Sequence, residues 1–121
     1  MRKSLVVLGL LLVASLPLHA KTSFSGTYAV SGINPGVGPY SGTLTVVARG
    51  EVYDVMWVIG NVQYSGIGVV VNDVLSVAYI AADRSWMGVI VYRQRLDGSL
   101  EGKWAVQGCP GRPGTEAAVR K

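Results

Sequence analysis

The chain has 121 residues, half of them hydrophobic, and its eleven Lys and Arg against seven Asp and Glu produce a formal charge of +4. This length allows one domain with a modest core and excludes a multidomain architecture. The single cysteine, Cys109, excludes an internal disulfide, and the single histidine, His19, leaves little room for histidine-based catalysis.

Residues 1–20 have the pattern of a secretory signal peptide. Arg2 and Lys3 precede an unbroken apolar stretch that is shorter than a typical membrane-spanning helix. We expect cleavage after Ala20 and export to the periplasm or the exterior, with no transmembrane anchor afterwards. Removal of the two basic residues leaves nine against seven acidic ones, so the mature charge falls to +2, and His19 is removed with the leader.

From Ser23 onward, apolar residues alternate with small or polar ones at the period of two that is typical of β-strands. Turn residues such as Asn72-Asp73 and Asp97-Gly98 separate most segments by too few residues for a crossover between parallel strands. We therefore predict one antiparallel meander in residues 21–108, with residues 109–121 as a C-terminal tail or a short last strand. The seven predicted strands are 23–32, 40–49, 51–59, 62–71, 74–81, 86–95 and 99–107.

Glycine recurs inside these strands two positions after a large apolar residue. The five such units are Phe24/Gly26, Tyr40/Gly42, Tyr64/Gly66, Trp86/Gly88 and Leu100/Gly102. Glycine weakens a strand unless tight bending or a close backbone approach requires it. Its recurrence on one face of the sheet therefore indicates strong curvature.

The same face carries most of the aromatic residues and is predicted to point inward. The fold class we predict is all-β, an antiparallel meander of seven to eight strands closed into a small up-and-down barrel, with an open curled sheet or a sandwich as the alternative. In such a barrel the aromatic side chains either fill the interior or line a cavity. The predicted inward residues include Phe24, Tyr28, Leu44, Val46, Tyr53, Trp57, Leu75, Val77, Ile90, Tyr92, Leu100 and Trp104.

Two middle strands are apolar on both faces, unlike the outer strands, where one face is polar. This is typical of strands that are covered on both sides or that form an interaction surface. We expect self-association or contact with another macromolecule at this surface. The apolar residues opposite the aromatic face are Ile67, Val69, Val71, Met87, Val89 and Val91.

Catalytic chemistry is scarce in the mature sequence. No histidine remains for a nucleophile–base pair or for most zinc sites. Gly66 and Gly68 form a Gly-x-Gly without the third glycine or the helix that a phosphate loop needs. We expect no enzymatic activity, no metal site and no cofactor. The carboxylates considered for acid–base work lie mostly in or beside predicted turns: Glu51, Asp54, Asp73, Asp83 and Asp97.

The basic residues are scattered along the mature chain. Arg93 and Arg95, with Lys103 on the predicted neighbouring strand, form the one candidate basic patch. A nucleic-acid-binding surface needs clustering on one face. We interpret this patch as a solvated strand end and expect no nucleic-acid partner.

Three Trp and six Tyr provide surfaces for stacking against a ligand. Most belong to the inward face and are assigned to the core. Tyr40 and Tyr64 begin their strands, and Trp86 follows the Asp83-Arg84-Ser85 turn, so these three residues are predicted at the rim. They are the candidate ligand or partner contacts.

Several short motifs follow one another in the order Tyr28-x-Val30-x-Gly32, Asn34-Pro35, Tyr40-x-Gly42, Tyr53-x-Val55-x-Trp57, Tyr64-x-Gly66-x-Gly68 and Leu75-x-Val77. This order resembles a group of small exported bacterial proteins of uncharacterised function, some of which are labelled fibronectin-binding. The resemblance implies an exported domain with an adhesion-like role. The present chain departs from that group after Gly114-Thr115-Glu116, where it lacks an aromatic and basic ending.

A weaker resemblance links Leu100-x-Gly102-x-Trp104 to avidin-like and lipocalin-like barrels, in which a comparable motif opens the first strand. Two functions follow as hypotheses. One is a non-catalytic exported β-domain that binds a macromolecule or belongs to the cell envelope. The other is a calycin-like carrier whose aromatic face takes up a small apolar molecule. The interior volume of the barrel separates them.

Overall fold

The computed structural model describes residues 23–121, so the predicted signal peptide lies outside the described residues. Within this range the chain forms eight β-strands and no helix, and therefore no helix that could span a membrane. The strands are β1 (Gly26–Asn34), β2 (Gly38–Arg49), β3 (Val52–Ile59), β4 (Val62–Val71), β5 (Val74–Ala81), β6 (Met87–Gln94), β7 (Leu100–Val106) and β8 (Gly114–Arg120).

Each strand pairs antiparallel with its neighbour in sequence, and β8 returns to pair with β1, which closes the sheet. In this closing pair, Tyr28 of β1 lies opposite Arg120 of β8. The prediction of an all-β, up-and-down barrel is confirmed. Residues 107–113 connect β7 to β8, and the residues that follow supply the eighth strand rather than a tail.

The alternation of strand direction produces two different ends. The connections β2–β3, β4–β5 and β6–β7 lie at the end where the described chain begins and finishes, which we call the closed end. The connections β1–β2, β3–β4, β5–β6 and β7–β8 lie at the opposite end, which we call the open end. The β2–β3 and β4–β5 connections at the closed end have only two residues each. Asn72 and Asp73, for example, both adopt positive φ, 49° and 65°, as a two-residue hairpin turn requires.

The half of the barrel next to the closed end is filled by inward side chains. The Tyr28 hydroxyl donates a hydrogen bond of 2.6 Å to the Phe24 carbonyl, and the Phe24 ring packs edge-on against Tyr53. The Arg120 guanidinium lies 4.9 Å from the centre of the Tyr28 ring, and it donates to the carbonyls of two residues that precede β1. The side chains with almost no exposure are Tyr28, Tyr92, Leu44, Leu75, Leu100, Val46 and Val77.

Glycines on the inner face make room for aromatic rings of the adjacent strand. Gly102 lies opposite Tyr92 in the β6–β7 pairing, and a methyl group on Gly102 would come within 2.8 Å of that ring. The same relation holds for three further register pairs, Gly32 with Tyr40, Gly88 with Tyr79 and Gly114 with Trp104. Ring-over-glycine packing lets a narrow barrel enclose large side chains.

The outer face differs around the barrel. The outward side chains of β4 and β6 are apolar and exposed, in agreement with the sequence pattern: Ile67, Val69, Val71, Met87, Val89 and Val91. Arg93 and Arg95 and the neighbouring Lys103 line a shallow outer groove, where Arg95 pairs with Glu101 at 2.5 Å.

Candidate functional site

A cavity of about 570 Å³ occupies the half of the barrel next to the open end. Its walls come from inward residues near the open ends of the strands, and its rim comes from the β1–β2, β5–β6 and β7–β8 connections. The described residues that line it are Asn34, Pro35, Val37, Tyr40, Trp57, Ile59, Tyr64, Tyr79, Trp86, Ile90, Trp104, Ala105, Val106, Cys109, Pro110, Arg112 and Glu116. The interior is therefore packed at one end and hollow at the other.

A buried carboxylate, Glu116, lines the inner part of the cavity, with 6% of its surface exposed. Tyr40 donates a 2.8 Å hydrogen bond to Oε1, and Tyr92 donates a short hydrogen bond to Oε2. The Trp57 indole N–H donates to the Tyr92 hydroxyl at 3.0 Å and approaches Glu116 Oε2 at 3.4 Å. Neutral donors from β2, β3 and β6 thus converge on a single carboxyl group carried by β8.

The local environment shifts the proton affinities of this cluster. Burial raises the pKa of the Glu116 carboxyl, although the hydrogen bonds from Tyr92, Tyr40 and Trp57 oppose the shift because they favour the ionised form. Burial, followed by the negative charge of Glu116, raises the pKa of Tyr92 and of Tyr40 well above the ordinary value. The two phenols therefore stay protonated near neutral pH and remain hydrogen-bond donors.

Aromatic rings form most of the remaining wall. Tyr79 packs against Trp57 at 5.5 Å and against Tyr64 at 6.0 Å between ring centres, and Tyr40 packs edge-on against Trp104 at 6.2 Å. Burial raises the pKa of Tyr79 to about 12. These contacts pack the rings against one another around the cavity.

One wall residue keeps an unused donor. The buried indole N–H of Trp104 has no hydrogen-bond partner among the described residues. It lies near the Tyr40 hydroxyl, whose pKa is raised mainly by burial, and the Trp104 indole opposes that shift. Because this nitrogen has almost no accessible surface, Trp104 presents its ring, and not its N–H, to the cavity.

Tyr40, Tyr64 and Trp86, the contacts predicted from sequence, all line this cavity. Tyr40 reaches inward to Glu116, and Tyr64 belongs to the aromatic wall. Trp86 lies in the β5–β6 connection, is 50% exposed, and forms part of the rim. Three positions that are far apart in sequence therefore come together because each lies at the open end.

Glu116 was absent from the carboxylates considered in the sequence, and it is the principal polar residue of the site. The alternation Gly114-x-Glu116-x-Ala118 places it on the inward face, in phase with a glycine and a small apolar residue. This alternation with inward residues was the sequence signal that could have identified Glu116 as a buried carboxylate. Trp57 and Trp104 were predicted as core residues, and they form both core and cavity wall.

Cys109 and Arg112 mark the rim on the β7–β8 connection, and both are exposed. The backbone N–H of Cys109 donates to the carbonyl of Val106 at 3.2 Å, which fixes the start of this loop. Arg112 is the only cationic side chain among the described residues that line the cavity, and Glu116 is the only acidic one.

Comparison with known proteins identifies similarity at the level of the fold. No protein-family model matches the chain, and no curated protein matches it either. Among solved structures, the chain is similar to a designed protein described as "De novo design of a fluorescence-activating beta barrel", at 18% sequence identity and a TM-score of 0.57. The alignment covers 80% of the present chain and 93% of the designed one. At this identity, the likeness is one of fold, an antiparallel β-barrel.

Proposed function

We propose that the protein is a non-catalytic binding protein that holds a small, planar and largely apolar molecule in the cavity at the open end. The observation that carries this function is the division of the interior into a filled half and a hollow half. The calycin-like hypothesis required an interior that Trp57, Trp104 and Tyr28 do not fill completely. Tyr28 fills the closed half, whereas the two Trp residues leave about 570 Å³ between them and the rim.

The dimensions and lining of the cavity support this function. Small-molecule sites have volumes of roughly 300 to 1,000 Å³ and apolar walls with a few polar groups that fix orientation. Here the walls are largely aromatic, and the polar group at the inner end is the Glu116 carboxyl, to which Tyr40 donates a hydrogen bond. Most wall residues belong to the strands of a closed barrel, so few side chains and little backbone need to become ordered when a ligand binds.

Fluorogenic dyes are suitable first probes because the designed barrel is described as fluorescence-activating. All three Trp residues of the chain line the cavity, so their intrinsic fluorescence reports on its contents. We expect planar dyes and aromatic compounds to quench this fluorescence and to raise the melting temperature increasingly as the ligand concentration exceeds the dissociation constant.

A matched pair of variants tests the location of binding. Val106→Trp places a large ring at the cavity wall near the open end, and Val89→Trp makes the same change on the exposed outer face of β6. We expect Val106→Trp to weaken dye affinity at least about tenfold and Val89→Trp to leave it unchanged. Equal dye affinities in the two variants would contradict the proposed function. The absence of a melting shift with every dye and aromatic compound tested would contradict it as well.

Association with a macromolecule stays a prediction from the sequence. Its structural support is the exposed apolar surface of β4 and β6. Light scattering tests self-association, and a monomer at all concentrations would count against it. Export through residues 1–20 and an adhesion-like role rest on the signal-peptide pattern and the family resemblance. Fibronectin affinity no better than that of an unrelated basic protein would dismiss the adhesion-like role.

A further inference from the structure

We infer that the natural ligand carries a protonated amine on an aromatic or apolar body, and that the amine binds beside Glu116 at the inner end of the cavity. This assignment rests on the proposed function, because it names the chemical class of molecule that the same cavity selects. It follows from the charge, the hydrogen-bond capacity and the aromatic surroundings of the Glu116 carboxyl.

The first observation concerns charge. The groups that contact Glu116 are Tyr40, Trp57 and Tyr92, which are all neutral donors, and no ion pair to Glu116 forms within residues 23–121. An ionised carboxylate in an apolar interior is costly without a positive partner. The three donors favour the ionised form but supply no positive charge. A cationic ligand would supply it.

The second observation concerns geometry. A carboxylate can accept about four hydrogen bonds, two at each oxygen. Oε2 accepts from Tyr92 and is approached by the Trp57 N–H, whereas Oε1 accepts only from Tyr40. One acceptor position on Oε1 therefore remains for a ligand N–H. A charge-assisted bond there would be stronger than the same bond from a neutral donor.

The third observation is the aromatic wall. The faces of Trp and Tyr rings attract cations electrostatically, and desolvation strengthens the attraction. Tyr40, Trp57 and Trp104 surround the region of the carboxyl, while Tyr64, Tyr79 and Trp86 extend towards the rim. An amine can therefore lie among rings near Glu116 while the ligand body stacks farther out.

Charge also orients the ligand. Glu116 lies deep in the cavity, and Arg112 lies exposed at the rim. The potential thus becomes more negative inward, and a molecule with one cationic end enters with that end first. An anionic end would instead remain near Arg112.

Three naphthalene compounds of nearly equal shape test the assignment: 1-naphthylmethylamine, 1-naphthylmethanol and 1-naphthoate. Their dissociation constants with the full mature chain are measured by titration calorimetry near neutral pH. We expect the amine to bind about tenfold or more tightly than the alcohol and the carboxylate to bind most weakly. Equal binding of all three would overturn the amine assignment and leave the proposed function intact. Failure of every compound and every dye to bind would refute the proposed function itself.

Variants then locate the effect. Glu116→Gln keeps the shape of the side chain and should make the amine and the alcohol bind equally. Glu101→Gln removes an acidic group of the same type from the outer face, where it pairs with Arg95, and should preserve the preference. If Glu116→Gln retains the preference for the amine, or Glu101→Gln abolishes it, the assignment is wrong.

A measurement on the unmodified protein covers the case in which Glu116→Gln does not fold. The amine remains protonated between about pH 4 and pH 8, so its preference over the alcohol should disappear at low pH as Glu116 becomes protonated. Other titratable groups facing Glu116 are Tyr40 on β2, Tyr79 on β5 and Tyr92 on β6, which stay neutral over this range, and the charged side chain that shares the cavity is Arg112 at the rim. A preference that is independent of pH would overturn the assignment.

Discussion

Replacing Tyr92 by Phe removes a single oxygen atom from the centre of the Glu116 cluster. The ring remains, so its packing against Gly102 and the rest of the core is preserved. The lost hydroxyl donates to Glu116 Oε2 and accepts from Trp57 at 3.0 Å. The variant therefore isolates the contribution of one buried polar group.

The size of the effect depends on the charge of Glu116. A hydrogen bond to a charged group contributes about 1.5 to 3 kcal/mol and one to a neutral group about 1 kcal/mol. We expect Tyr92→Phe to lower the free energy of unfolding by about 2 to 3 kcal/mol at a pH above the raised pKa of Glu116, where the carboxyl is ionised, and by about 1 kcal/mol near pH 4, where it is protonated. The sign follows because donation by Tyr92 lowers the pKa of Glu116, and its removal raises that pKa further.

Urea denaturation followed by Trp fluorescence at both pH values measures this difference. Tyr40→Phe is the matched control. Tyr40 donates to the other carboxylate oxygen at 2.8 Å but is only half-buried, so water can replace its hydroxyl. We expect the control to cost about 1 kcal/mol. An equal loss at both pH values for Tyr92→Phe, or a larger loss for Tyr40→Phe, would refute the reasoning.

Three further predictions concern stability. Because burial raises the pKa of Glu116 in the folded state, the unfolding free energy should fall as pH rises from the unfolded value of 4.5 through the folded one, and Glu116→Gln should remove this slope in denaturation curves. Gly102→Ala should cost about 1 to 3 kcal/mol in the same assay, because the added methyl group meets the buried Tyr92 ring at 2.8 Å; a loss below about 0.5 kcal/mol would contradict ring-over-glycine packing. Arg120→Met should increase hydrogen exchange just before β1, whereas Lys121→Met should not, because Arg120 alone donates to the Ser23 and Ser25 carbonyls.

Much of the fold was predictable because a strand has a strict period of two. Alternation identifies the inward set strand by strand, and short turns force antiparallel neighbours. Residues such as Tyr28, Leu75 and Tyr92 are accordingly found in the core. The eighth strand was harder to predict because it contains Gly114, Ala117 and Ala118 and few β-branched or aromatic residues.

The site was predictable only in part. The rim positions of Tyr40, Tyr64 and Trp86 follow from their places at strand starts and beside a turn. The hollow half does not follow, because alternation shows which side chains face inward and not how much space they leave. The role of Glu116 depends on donors from three other strands, and that convergence exists only after the barrel closes.

The closed end places both limits of the described chain far from the cavity. The Arg120 side chain donates to the Ser23 carbonyl, so the first and last described residues lie side by side at the closed end. The barrel can therefore be tethered by either terminus, to a surface, a neighbouring domain or an affinity tag, while its mouth faces the solvent. Fusion of a tag or a neighbouring domain at the closed end would therefore leave the mouth of the cavity open for ligand entry.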